Sequence, residues 1–179
     1  MEVIVKHLMG TVILMALVAS TGLSYTIIAS SIEADVLKQQ LEDVGEHVSS
    51  KIVEVAALVN FADYLNNVTM VETLNIPPDV GGRAYAVELR QPTQVGEGYS
   101  VNVYLCLNRE ISASAIIPLN STANRVTVLA GSEGLLTARG GVVVYSGVVY
   151  SGGVVVVWGW RRSIEETWVG IGVFREEAG

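Results

Sequence analysis

Residues 8–32 read LMGTVILMALVASTGLSYTIIASSI, twenty-five positions without one charged side chain. At about 1.5 Å rise per residue such a run makes a helix about 37 Å long, enough to cross a hydrocarbon core of about 30 Å with some tilt. No proline or turn cluster separates it from a second pattern that starts at Glu33. There Leu37, Leu41, Val44, Val48, Ile52, Val55 and Val59 advance by three or four residues, which is one stripe of an amphipathic helix. Lys38, Gln39, Glu42, Asp43, Glu46, Ser49, Ser50 and Glu54 fall on the opposite face. Gly45 interrupts with a propensity cost of about 1 kcal/mol and permits a bend, and Asn66-Asn67 supplies a stop. The reading is a transmembrane helix over 8–32 and an amphipathic helical stalk over 33–65, preceded by residues 1–7 as a cytoplasmic tail or leader. The stripe has to be buried, either on the chain's own β domain or against neighbouring subunits, and both remain open.

Three readings of the N-terminus compete. A cleavable secretory signal takes Lys6 and His7 as its basic region and Val18-Ala19-Ser20 as its cleavage site, but the apolar stretch continues through residues 25–29 without a polar break. A signal-anchor helix uses Lys6 before the span and Glu33 and Asp35 after it, which puts the N-terminus in the cytoplasm and the C-terminal domain outside the cell. In the third reading the anchor also packs with like helices. Ala16, Ser20 and Ser24 stand four apart on one ridge with Gly22 on its neighbour, and small side chains let helix backbones approach closely in lipid. The plain alternative is the ordinary tolerance of Ser and Ala in spanning helices.

Beyond residue 32 lie ten Lys or Arg and seventeen Asp or Glu, so the soluble part carries the whole net charge of −7. An acidic exterior excludes a nucleic-acid partner, because phosphate binding needs clustered basic groups. A single cysteine, Cys106, excludes an internal disulfide and a Cys-based zinc site, and is expected as a buried thiol in a strand. Glu42, Glu46 and His47 lie on the polar helix face and read as solvated side chains, not a metal site. The two histidines, His7 and His47, offer no base for a triad or dyad, and the acids are scattered, so neither an enzyme nor a cofactor is expected.

After a connector over 66–83 the period changes to two. Residues 84–90 alternate with Tyr85, Val87 and Leu89 on one face, residues 99–105 alternate likewise, and 111–117 read as a third strand after a turn at Asn108-Arg109-Glu110. Further strands are expected over 125–130, 142–145, 154–158 and 167–174, before an acidic tail at 176–179. Without crossover helices these strands make an antiparallel sandwich-like domain over 84–175, so the fold class is α+β. The two similar runs at 141–147 and 148–153 read as neighbouring strands with similar turns. Residues 154–160, VVVVWGW, are apolar enough to aggregate if left on an edge, and a central strand covered on both faces is the bland alternative. Tyr145, Tyr150, Trp158, Trp160 and Trp168 either line a carbohydrate- or peptide-binding face or fill the core.

The assembled pattern resembles the membrane-anchored type IV pilin-like proteins of archaea, including their pseudopilin-like members. The likeness rests on the helix over 8–60 and on the lead-in Leu74-Asn-Ile76-Pro77-Pro-Asp-Val80-Gly81-Gly82-Arg-Ala-Tyr85. It implies a non-enzymatic subunit of a surface filament or of a secretion or adhesion assembly, partnered by the lipid bilayer and by copies of itself or related subunits. It also implies a processing point, which here falls at Gly10 and Thr11. Leaders of this family set basic residues directly before that point; here Leu8 and Met9 intervene, and Met15 stands fifth after the cut. The sequons at Asn67 and Asn120 are candidate glycosylation sites on an exterior domain. The alternative reading is a single-pass anchored β domain that binds an extracellular ligand.

Overall fold

The computed structural model describes residues 2–61, 68–92, 98–119, 126–131, 133–138, 141–163 and 166–176. The Asn66-Asn67 stop, the sequon asparagines Asn67 and Asn120, and residues 177–179 of the acidic tail lie outside them. One helix, α1, runs without interruption over Glu2–Phe61. The chain forms two compact units, Met1–Val36 and Leu37–Gly179, and α1 contributes to both.

In the first unit the described side chains from Val5 to Val36 are exposed, apart from a half-buried Ala34. Every hydroxyl from Thr11 to Thr26 except that of Tyr25 turns back onto the helix. Thr11 donates to the Leu8 carbonyl at 2.9 Å, Ser20 to Leu17 at 2.9 Å, Thr21 to Val18 at 2.9 Å, Ser24 to Ser20 at 2.9 Å and Thr26 to Leu23 at 2.8 Å. This pairing, which slightly disfavours a helix in water, satisfies each donor internally, as a hydrocarbon environment requires.

Among the described residues the second unit holds ten strands: β1 Val68–Thr73, β2 Tyr85–Arg90, β3 Ser100–Leu105, β4 Ser112–Ile116, β5 Val126–Val128, β6 Gly134–Ala138, β7 Gly141–Tyr145, β8 Val148–Tyr150, β9 Val155–Ser163 and β10 Glu166–Glu176. They form two packed sheets. The larger runs β1-β9-β10-β7-β6, with β5 also paired to β10; the smaller runs β4-β3-β2-β8. The fold is α+β, a long N-terminal helix followed by antiparallel sheets. One pairing departs from that rule. β5 lies parallel to β10, matching Val126 to Thr167 and Val128 to Val169.

The segment expected as a connector contains β1, which pairs with β9 from Val68↔Arg161 to Thr73↔Val156. The two similar Val-rich runs are not neighbours: β7 joins the larger sheet and β8 the smaller, so residues 146–147 carry the chain between sheets. The 154–160 run is β9, central between β1 and β10, with Val155 and Val157 facing one core and Val156 and Trp158 the other. β10 is also interior.

The main core lies between the two sheets and the 37–61 part of α1. Leu37, Leu41, Val44, Val48, Ile52, Val55 and Val59 are at most 5% exposed and join one cluster with Tyr85, Val87, Leu89, Val101, Val103, Val157 and Ile171. Burying each such side chain contributes about 1.5–3 kcal/mol. The stripe is therefore covered by the chain's own sheets. The helix continues through Gly45, which faces the smaller sheet: a Cβ there would lie 3.4 Å from Ala115 Cβ and from Val103 Cγ2, in van der Waals contact. Before β2, Val80 and Arg83 close a two-residue hairpin through Gly81 and Gly82, whose φ values of 58° and 72° fit a type I′ turn.

Candidate functional site

Four places carry the features that bear on function. The first is the apolar segment of α1. Fifteen of the twenty-two large apolar side chains that stand exposed among the described residues fall between Val5 and Val36. The segment is long and apolar enough to cross a membrane. The helix-packing candidates Ala16, Ser20, Gly22 and Ser24 are all exposed on it, and a Cβ added at Gly22 meets nothing within 4 Å. Gly10 and Thr11 lie in regular helix with equally open surroundings.

The second is the junction where α1 ends on the larger sheet. Inward-facing β9 residues follow the helix in the order Val155, Val157, Gly159 and Arg161. A Cβ at Gly159 would come within 2.8 Å of Val59 Cγ2 and 2.9 Å of Val55 Cγ1, so glycine sets how closely the helix lies on the strand. Arg161, 3% exposed, then donates from Nη1 to the Asn60 carbonyl at 2.7 Å and to the Val59 carbonyl at 3.4 Å. The last carbonyls of a helix have no partner within it and carry partial negative charge, so a buried guanidinium is their natural complement. Thr167 Oγ1 donates to Asn60 Oδ1 at 2.9 Å from β10. Lys51 Nζ, 2.7 Å from both Glu54 and Glu72, ties the helix to β1, and those two hydrogen bonds raise its pKa. Ser49 Oγ donates to the Ile116 carbonyl on the smaller sheet at 2.8 Å.

The third is a second core on the outer face of the larger sheet. Trp158 is 1% exposed and donates its indole N–H to the Ile171 carbonyl at 3.2 Å. Its ring lies on Gly170, where a Cβ would be 2.8 Å from Cζ2. Tyr145 packs on Trp158 at 4.9 Å between centroids, and Trp160 meets Trp168 edge-on at 5.2 Å. Of the five aromatics read as a binding face or as core, these four gather in or beside this core. Tyr150 does not; it is 59% exposed on β8 of the other sheet.

The fourth is the outer face of the smaller sheet. Strand alternation that buries Tyr85, Val87 and Leu89 turns Ala86, Glu88 and Arg90 outward, beside Asn102 and Tyr104 of β3 and Ser112 of β4. Glu88, Arg90, Asn102, Tyr104, Arg109 and Ser112 line a hollow of about 190 Å³. Glu88 Oε2 accepts from Arg90 Nε at 3.1 Å and Nη2 at 3.0 Å. With its amide turned so that nitrogen meets a carbonyl, Asn102 donates to Ala113 O at 3.1 Å and accepts from Arg90 Nη2 at 3.1 Å. Arg109, in the β3–β4 turn, lies over the Tyr104 ring at 5.1 Å. Burial raises the Tyr104 pKa, while Arg109 pulls it down.

Sequence reasoning read Arg109 only as a turn residue and Glu88 and Arg90 only as outward strand positions. The signal was present in the hairpin register, which sets Glu88 opposite Asn102 and Asn102 opposite Ser114. Cys106 is a correction: it lies one residue past the end of β3, in a bend, and is half-exposed. Asp43 and His47 line a separate hollow of about 370 Å³ with Asp79. Among the described residues no group of three His, Cys, Asp or Glu side chains is placed to share a metal ion. No family model, curated protein or solved structure matches the chain.

Proposed function

We propose that the chain is a non-enzymatic, membrane-anchored subunit of the archaeal type IV pilin-like kind, serving a surface filament or a secretion or adhesion assembly. The observation that carries this reading is one helix with two environments. Its first part exposes an apolar surface with its Ser and Thr hydroxyls from Thr11 to Ser30 satisfied internally, and its second part is built into the core of a β domain. The first needs lipid or other helices around it; the second continues the same helix into the domain. Lys6 before the apolar segment and Glu33 and Asp35 after it favour a cytoplasmic N-terminus and an exterior β domain. The ridge of Ala16, Ser20 and Ser24, flanked by Gly22, is the proposed contact between like helices, with no cofactor and no nucleic acid involved.

The N-terminal residue of protein isolated from its native membrane tests the processing step: Thr11 supports a pilin-like subunit, Met1 a simple anchor, and Thr21 or Ser31 a released domain. Oligomeric state in mild detergent tests assembly. Self-association that Ser20→Leu and Gly22→Leu abolish supports the reading, and a monodisperse monomer indifferent to both overturns it. A second reading, a monomeric anchored domain that binds a ligand, is favoured by the charged hollow on the smaller sheet.

A further inference from the structure

We propose that the outer face of the smaller sheet binds an acidic sugar unit of a glycan, its carboxylate held by Arg109 and its hydroxyls by Glu88 and Ser112. This goes beyond anchoring and assembly, and holds whether or not the anchor helices associate.

Charge is the first reason. The chain carries a net −7, yet this hollow holds two guanidinium groups and one carboxylate. Arg90 is neutralised by Glu88 at 3.0 Å. Among the described residues Arg109 engages only the Tyr104 ring, so it is held in place by an aromatic face and not by an acid. Its N–H donors are left for an anion of the fork-matching kind, a carboxylate.

The acceptors give the second reason. The hydrogen bonds that Glu88 accepts from Arg90 both fall on Oε2, so among the described residues Oε1 has no donor and is left as an acceptor in the same hollow. A ligand carrying only carboxylates is repelled there, whereas one that also brings hydroxyl donors satisfies Glu88 and Arg109 together. Ser112 adds a hydroxyl that both donates and accepts. Size agrees. At about 190 Å³ the hollow is smaller than the roughly 300–1,000 Å³ that encloses a drug-sized molecule, so it takes one ring, not a peptide segment.

The third reason is the neighbouring surface. A second hollow of about 370 Å³ shares Glu88 and is lined also by Glu133, Ser146 and Tyr150, so the next sugar meets these two acids through its hydroxyls. Tyr104 and Tyr150 both pair against Ala86, so they stand two strand spacings, about 10 Å, apart on one face. Tyr150 presents an exposed ring to the apolar C–H face of the next sugar. Among the described residues, one unpaired cation, two carboxylate acceptors, serine hydroxyls and an open aromatic ring are the complement of an acidic sugar at Arg109 continued by a unit that turns its hydroxyls to the protein.

The test uses the full-length protein in mild detergent, titrated calorimetrically with trigalacturonate, neutral galactotriose and triglutamate. The expected result is that trigalacturonate binds at least about tenfold tighter than either comparator. Arg109→Gln is expected to remove at least about tenfold of that affinity while leaving galactotriose binding unchanged, and Arg109→Lys to restore part of it. Tyr150→Ala is expected to weaken both saccharides. Both positions are exposed, so unchanged melting accompanies each variant. Equal binding of acidic and neutral saccharide, triglutamate binding as tightly, no saccharide binding, or wild-type affinity in Arg109→Gln each overturns the proposal. Membrane association and oligomeric state stay the same in these variants, which keeps failure here separate from failure of the anchoring reading.

Discussion

Arg161→Met removes the cation that closes α1. The lost Nη1 contact to the Asn60 carbonyl, at 2.7 Å, is a charge-assisted hydrogen bond of about 1.5–3 kcal/mol. The favourable field of a cation at a partly buried helix C-terminus adds up to about 2 kcal/mol. Methionine recovers some of this, because its apolar stem fills the space and the desolvation cost of a buried guanidinium disappears. The net expectation is a loss of about 2–4 kcal/mol, which for a chain of this size lowers Tm by roughly 5–15 °C. The assay is reversible unfolding of the full chain in mild detergent, followed by tryptophan fluorescence, since Trp160 adjoins Arg161 and Trp168 pairs with Trp160 across β9 and β10. Arg161→Lys keeps the charge but offers a point donor, and is expected to recover about half. Thr167→Val, which strips the donor to Asn60 Oδ1, costs about 0.5–1.5 kcal/mol. Because both side chains act on the last turn of α1, the double variant is expected to be non-additive by about 0.5 kcal/mol or more. A loss within about 0.5 kcal/mol of wild type for Arg161→Met would refute the assignment of Arg161 as the helix cap.

Gly159→Ala sets a methyl against Val55 and Val59 and is expected to cost about 1–3 kcal/mol by overpacking, with Val55→Ala in the same chain restoring part of it; additive losses in denaturant titration contradict the close approach. Tyr85 is fully buried and donates to the Pro77 carbonyl at 2.6 Å; burial, helped by Asp79, pushes its pKa up from 10.0 to about 12. The folded chain keeps a proton between pH 10 and about 12 that the unfolded chain releases. The stability from this group is therefore complete below pH 10 and falls by about 1.4 kcal/mol per pH unit through that window. Tyr85→Phe, measured by chemical unfolding across the same range, is expected to lose that part of the slope; an unchanged slope contradicts it. Gly170→Val displaces the Trp158 indole from its seat, and is expected to shift tryptophan emission and lower stability by about 1–3 kcal/mol, whereas unaltered emission argues against the second core.

The helix and its buried stripe were legible because period and length are local properties: seven apolar residues at helical spacing can face only one side. The inward faces of β2 and β3 followed from alternation for the same reason. β1 escaped because Val68-Thr-Met-Val-Glu-Thr73 is short and its inward face spends Glu72 on Lys51, so the apolar alternation breaks. β6, Gly134–Ala138, escaped because Leu135 points to solvent at 72% exposure while Gly134 faces Tyr145. Which sheet each strand joins is a long-range matter. The 141–145 and 148–150 runs look alike in composition, yet the chain crosses between sheets at Gly147. The charged hollow was illegible for a related reason, since Arg109 sits in a turn and acquires its role only when the β3–β4 hairpin folds it over Tyr104.

Flotation of the freshly synthesised full-length chain with lipid vesicles tests the membrane anchor most directly. The chain is expected to rise with the vesicles and to stay with them in high salt, while Leu17→Arg combined with Val18→Arg leaves it at the bottom of the gradient. A wild-type chain that remains in the lipid-free fraction as a monodisperse, soluble particle would contradict the account.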